Sequence, residues 1–336
     1  MYKKRAVAAA ATTAIALLGA GVGAAVATPT PMTETGNPRI AGANRYETAV
    51  LVSQKSFTTP QDVVFVASGE SYADALGAGP AAAASGAPIL LVPKSSLPTV
   101  VAGELKRLAP KAIAVIGGAG AISDANLKAI GAYAPAGQTQ RISGPNRYAT
   151  AAEVAAGFDP GIPVVYVASG ENFADALGGG AAAAAEGGAM VLTAKSTLPA
   201  ETKQALQSLK PKQVVILGGT GAISTTVEKA INTATGLKAF RYNGADRYET
   251  AAWVASDVWG GPDGTGKAKT VFMASGLSFP DALAATPAAF INDAPILLTK
   301  GTCTPAVTSA VKKDLAPTLS VYLGGKTVTY YGTKVC

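Results

Sequence analysis

One pattern is written three times along this chain, at intervals of about 100 residues. The first copy runs Arg39-Ile-Ala-Gly-Ala-Asn-Arg45-Tyr46, then Val66-Ala-Ser68-Gly69-Glu-Ser-Tyr72-Ala-Asp74-Ala-Leu76, then Val115-Ile-Gly117-Gly118. The second copy repeats these blocks at Arg141 to Tyr148, Val167 to Leu177 and Ile216 to Gly219. The third has them at Arg241 to Tyr248, Met273 to Leu283 and Tyr322 to Gly325. Solenoid repeats are about 20–50 residues long and share their core with neighbours. A unit twice that length can be a small domain with its own core. Three such units describe a multivalent binder better than an enzyme, which seldom needs one site three times.

Each copy alternates short apolar runs with helical stretches. In the first, an Asn-capped helix is predicted from Arg45 to about Lys55 and a buried strand over Val63–Ala67. An Ala-rich helix should follow from Asp74 to about Ser85, then a strand over Pro88–Val92 and a helix from Leu97-Pro98 through Leu108. The copy should end with a strand over Ala112–Ile116 and a Ser123-capped helix to about Tyr133. Strands apolar at every position, alternating with helices, indicate a parallel sheet covered on both faces, so each copy is expected to be a three-layer α/β unit. The third copy departs twice. Trp259 to Gly266 reads as an inserted surface loop, and after Gly325 the last helix is replaced by Thr327–Tyr331, which alternates like a strand.

The termini and composition narrow the classes. Lys3, Lys4 and Arg5 precede an apolar stretch from Ala6 to Ala27 that ends in Ala25-Val26-Ala27, the form of a secretory leader and its cleavage site. We therefore expect a signal peptide at 1–27, a linker at 28–38 and repeats at 39–138, 139–238 and 239–336. No stable membrane insertion should follow cleavage. Losing the three leader cations lowers the formal net charge from +7 to +4. That mild excess favours an anionic partner, but without a dense basic patch it does not indicate nucleic acid. Cys303 and Cys336 are the chain's two cysteines; in an exported protein they should pair. Histidine is absent, which removes Ser-His-Asp and Cys-His catalysis and His-ligated zinc. No cofactor or metal is expected. The near-dinucleotide loop Gly219-Thr-Gly221-Ala-Ile-Ser224 lacks its third glycine, and Gly324-Gly325-Lys326-Thr327 lacks the leading glycine of a phosphate loop.

The candidate binding residues recur with the pattern. Arg45, Arg147 and Arg247 fall at the first position of a helix, behind the caps Asn44, Asn146 and Asp246. A cation there opposes the helix dipole and calls for a negative partner. That partner is either an external anion, held by guanidinium and free backbone N–H groups, or an internal carboxylate of Asp74, Asp175 or Asp281. The three aspartates sit just past a strand's C-terminal end, where ligands gather in parallel sheets; simple dipole stabilisation is the alternative. Arg39, Arg141 and Arg241 either bind an anion, span repeats or are solvated strand-end charges. Tyr46, Tyr148 and Tyr248 either stack on a sugar or pack in the core with a polar tip.

Together the blocks R-[IY]-x-G-x-[ND]-R-Y-x-T-A and ASG-x-x-[FY]-x-DAL, a P-I-L-L type strand and a strand ending in GG closely resemble the cell-wall-binding repeat 2 family of Gram-positive surface proteins. The resemblance covers Arg39 to Cys336, with Ala189-Met-Val-Leu-Thr193 a modest departure in the middle copy. It implies three Rossmann-like modules in a pseudo-threefold arrangement. It also implies a secreted protein held non-covalently on an anionic wall polymer, either teichoic-acid-like or a secondary wall polysaccharide. Family members often carry a separate effector domain, for which this length leaves no room, so binding without catalysis is expected. The alternatives are a self-associating surface protein and a carbohydrate-active enzyme using the three aspartates.

Overall fold

The computed structural model describes residues 31–260, 268–326, 328–332 and 334–336. The leader and almost all of the expected 259–266 loop lie outside the described residues. The first repeat contains β1 (Arg39–Ile40), α1 (Arg45–Ser56), β2 (Val63–Ser68), α2 (Ala78–Ala84), β3 (Ile89–Val92), α3 (Thr99–Leu108), β4 (Ala112–Ile116) and α4 (Asp124–Gly131). The second contains β5 (Thr139–Ile142), α5 (Arg147–Ala155), β6 (Val164–Ser169), α6 (Ala176–Ala185), β7 (Ala189–Thr193), α7 (Ala200–Leu209), β8 (Gln213–Leu217) and α8 (Thr225–Thr235). The third contains β9 (Phe240–Tyr242), α9 (Arg247–Trp259), β10 (Thr270–Ser275), α10 (Pro280–Ile291), β11 (Ile296–Thr299), α11 (Ala306–Leu315) and β12 (Leu319–Leu323).

The strands form three parallel sheets, ordered β3-β2-β4-β5, β7-β6-β8-β9 and β11-β10-β12-β1. The sheet is thus offset from the sequence repeat by one strand. Each leading-arginine strand hydrogen-bonds to the sheet before it, with Ile113 opposite Thr139 and Val215 opposite Phe240. Among the described residues the first such strand has no sheet before it, and it joins the last sheet, Arg39 opposite Tyr322. That pairing closes the three α/β modules into a ring. Residues just before β1 follow the same edge, with the Gly36 N–H donating to the Thr318 carbonyl at 2.9 Å.

The two faces of each sheet serve different cores. Along β2, Val63, Phe65 and Ala67 face a central cluster shared by all three modules, while Val64 and Val66 face an outer cluster with Leu105 and Ile130. Both sets are apolar, which is why the strand shows no polar alternation. The central cluster holds the Ala-rich helices α2, α6 and α10, which contact one another around the pseudo-threefold axis. Gly79 and Gly180 occupy equivalent places on that axis, and the third place is filled by Thr286. Each Ala-rich helix also packs on the first helix of the next module, α2 on α5, α6 on α9 and α10 on α1. These are the seams.

Two local expectations are corrected. The Ala-rich helix of the first copy, with Gly77 and Gly79 at its start, begins at Ala78, not Asp74, because the Ala75 and Leu76 N–H groups turn back to the Tyr72 carbonyl. In the third copy, where Pro280 opens the helix and those glycines are absent, Asp281 does lie in the first turn. The predicted strand at 327–331 does not form among the described residues. Val328 and Thr329 donate to the Gly325 carbonyl in a turn, and the free edge of β12 is already taken by β1. Cys303 and Cys336 are bonded, with Cα atoms 5.9 Å apart, fixing the C-terminal residues beside α11. Among the described residues no helix is long and apolar enough to cross a membrane.

Candidate functional site

The residues singled out above converge at the C-terminal ends of the strands, on one side of the ring. Asn44 accepts hydrogen bonds from the Tyr46 and Glu47 N–H groups at 3.0 Å, and Asp246 caps α9 the same way. Asn146 accepts from the Ala149 N–H at 2.9 Å. The caps therefore consume first-turn N–H groups that might have received an anion, and recognition of a negative group at these places falls to the arginine side chains.

Arg45, Arg147 and Arg247 each donate one N–H to the carbonyl of the glycine in their own Ala-Ser-Gly turn: Gly69, Gly170 and Gly276. Among the described residues no other protein acceptor meets these guanidinium groups and none forms an ion pair within 4.0 Å. Arg45 is exposed and the other two are half-buried. A guanidinium has five N–H donors, so most of each fork faces outward. Two of the arginines also meet a ring across their seam. Arg147 stands 5.9 Å from the ring centre of Tyr72, and Arg247 stands 5.8 Å from that of Phe173. Tyr72, Phe173 and Phe279 themselves meet on the axis, with centroids 5.3 to 5.9 Å apart. The result is an aromatic centre with arginines at its margin.

The tyrosines lie against the same glycines. A β-carbon at Gly69 would stand 2.6 Å from the Tyr46 ring, so only glycine lets ring and arginine stem fold over the turn. Tyr46 and Tyr148 are half-buried and Tyr248 is buried. Burial raises the pKa of all three hydroxyls, helped by Glu70 at Tyr46 and by Glu171 at Tyr148.

Asp74, Asp175 and Asp281 line the inner floor of the site. Each carboxylate abuts the first glycine after β4, β8 or β12, where φ is +110°, +92° and +85° at Gly117, Gly218 and Gly324. Burial raises the Asp175 carboxyl, opposed by the Thr250 hydroxyl and the Arg247 guanidinium of the next module. Burial raises Asp281 to about 6, against the pull of Arg45 across the closing seam. The internal ion pair that was the alternative partner for the helix-end arginines is thus replaced by a longer-range attraction.

Arg39, Arg141 and Arg241 have inward-facing partners. They donate to the carbonyls of Gly324, Gly117 and Gly218, the turns on which the aspartates rest. Arg141 also binds the Ile122 carbonyl at 2.8 Å and Asp124 at 3.0 Å, and Arg241 binds Glu228 at 2.7 Å.

Sequence reasoning passed over the axial aromatics and the residue following each Ser-Gly. That residue is Glu70, Glu171 or Leu277. Glu70 accepts the Lys94 N–H and Glu171 the Lys195 N–H, both at 3.0 Å, whereas Leu277 is 63% exposed. Aligning the three copies column by column would have exposed both features.

Comparison with known proteins identifies the family and the fold. A family described as cell wall binding domain 2 (CWB2) matches at residues 39–127, 141–228 and 241–331. The N-acetylmuramoyl-L-alanine amidase LytC of Bacillus subtilis (strain 168) is 32% identical over 78% of this chain and 50% of its own length. The amidase enhancer of the same organism is 32% identical over 85% of this chain and 38% of its own. Among solved structures, Cwp6 and Cwp8 from Clostridium difficile superpose with TM-scores of 0.80 and 0.78 at 27% and 26% identity. Each match covers 88% of this chain, and 46% and 50% of theirs. The chain spans half or less of the length of each of these relatives.

Proposed function

This chain belongs to the cell wall binding domain 2 family and has a wall-binding role, and we propose that it is an exported protein that grips an anionic wall polymer at its three module seams. Arg45, Arg147 and Arg247 supply the charge, Tyr46 and Tyr148 a sugar-facing surface with Tyr248 packed behind its arginine, and Asp74, Asp175 and Asp281 the floor that orients them. Arg39, Arg141 and Arg241 hold the turns beneath and act as scaffold. The reading is of a binder, not a catalyst. The observation that carries it is that each helix-end guanidinium spends one N–H on the protein, has no carboxylate in contact, and turns the rest of its fork outward.

Three such sites on one frame convert weak contacts into retention, with gains of roughly 10²–10⁴ over a single site. Salt should weaken binding, since exposed charges are screened over about 10 Å at 0.1 M ionic strength. The test is retention on purified Bacillus subtilis walls before and after removal of anionic polymers. Wild type should bind intact walls and lose affinity for stripped ones. A variant carrying Arg45→Ala, Arg147→Ala and Arg247→Ala should lose about a hundredfold or more. Equal retention of variant and wild type would remove these arginines from recognition.

A further inference from the structure

The three seams are not chemically equal, and the loop after the third strand of each sequence repeat shows why. In the first two modules that loop is held from below by a carboxylate, Glu70 on the Lys94 N–H and Glu171 on the Lys195 N–H. It is held from the side by the last helix, whose Ser123 and Ser224 N–H groups donate to the Lys94 and Lys195 carbonyls at 2.9 Å. The third module has no such helix among its described residues and carries Leu277 in place of the glutamate. Its loop is stapled instead by the Cys303–Cys336 bond. Thr304 donates to Lys334 and Cys336 back to Thr304, both at 3.0 Å, and the Lys300 N–H donates to the Cys303 carbonyl at 3.0 Å.

This substitution of one fastening for another changes what the seam presents. With the disulfide holding the loop, no carboxylate is needed beside the tyrosine. The Lys300 ammonium then stands 5.6 Å from the ring centre of Tyr248, and the turn that receives Arg247, whose Gly276 N–H donates to the Thr299 carbonyl just before Lys300, carries exposed Leu277. Asp246 replaces the asparagine caps of the other copies; its Oδ1 accepts from the Tyr248 and Glu249 N–H groups, and its charge offsets one of the two cations, Arg247 and Lys300, at this seam. In the other seams a glutamate oxygen without a protein donor lies near the tyrosine, where it accepts sugar hydroxyls and repels negative groups.

We infer that the seam between the second and third modules, built from Arg247, Tyr248, Leu277 and Lys300 and braced by Cys303–Cys336, is the principal anion subsite. The two glutamate-bearing seams favour uncharged, hydroxyl-rich sugar units. The matching ligand is a polymer in which neutral sugars separate negatively charged groups that carry an apolar substituent for Leu277. The inference rests on the seam reading above and adds a division of labour to it.

Binding is measured on intact and polymer-stripped Bacillus subtilis walls across a salt series, using full chains with the disulfide formed. Leu277→Glu and Lys300→Ala should each lower affinity for intact walls about tenfold and flatten its salt dependence, with Lys300→Arg close to wild type. Glu70→Leu and Glu171→Leu should hold or raise affinity and steepen the salt dependence. Reduction of the disulfide should mimic Lys300→Ala while leaving circular dichroism of the rest unchanged. If wild type fails to distinguish intact from stripped walls, the anionic reading falls and this inference with it. If wild type distinguishes them and the arginine variants lose binding, but Leu277→Glu and Lys300→Ala match wild type, only the division of labour is overturned.

Discussion

Along the axis, Gly79, Gly180 and Thr286 take equivalent places in α2, α6 and α10, and the approach is tightest at Gly79. A β-carbon at Gly79 would stand 2.9 Å from the Thr286 side chain. At the rim, the equivalent exposed positions Glu70, Glu171 and Leu277 change from charged to apolar while the surrounding backbone turn is kept. Symmetry is enforced where three helices must share one line and relaxed where the modules meet solvent. Small residues are kept on the axis and arginines are kept at the seams; on the proposed reading, the position that breaks the repeat at the rim sets selectivity.

The sharpest break concerns the third module's rim. Replacing Cys303 and Cys336 by serine should cost roughly 3–4 kcal/mol, the loop-closure contribution for a 33-residue separation, read from urea unfolding. No loss would mean that the backbone bonds between 303–306 and 334–336 alone hold the tail. Next comes the floor between axis and rim. Asp281 titrates at about 6 when folded and near 3.8 when unfolded, so the folded chain binds the extra proton. Its contribution to stability is full below about pH 4 and is lost as pH rises through 6. Asp281→Asn should remove that dependence, worth about 3 kcal/mol between the two limits; parallel pH–stability curves for variant and wild type would refute the assignment. On the axis, Gly79→Val should cost about 1–3 kcal/mol by overpacking, whereas an unchanged denaturation midpoint would show that the three helices can spread. Smallest is the contrast between the two arginine sets. Arg241→Ala, which strips the Gly218 carbonyl and Glu228 of their donor, should cost about 1–2 kcal/mol. Arg247→Ala should stay within about 0.5 kcal/mol, and equal thermal shifts would erase the distinction between clasp and rim.

Much of this was legible in the sequence because it is written in local pattern. Val63–Ser68 is apolar at every position and forms a strand buried on both faces, and Asn44, Asn146 and Asp246 cap the helices they announce. The resemblance implied the pseudo-threefold arrangement, but the strand that closes the ring was not legible. Pairing Arg39 with Tyr322 joins residues almost a chain length apart, and no periodicity encodes a partner at that distance. The strand expected near Thr329 shows the converse, since alternation cannot announce that an edge is already occupied. At the proposed site, charge and position singled out Arg45, Arg147 and Arg247. The role of Arg39, Arg141 and Arg241 depended on which glycine carbonyl lay across the neighbouring strand. Lys300 escaped notice because it sits one place earlier in its loop than Lys94 and Lys195, a shift that matters only once the disulfide fixes that loop.

The closing strand has a temporal consequence. Gly36 to Ile40 are among the first described residues to be synthesised, yet their only sheet is built from the last ones, so they must wait until β12 exists. Two modules can mature while the third still lacks an edge. Contacts of such long sequence separation form late, and the final event in making this binder is the capture of its own beginning.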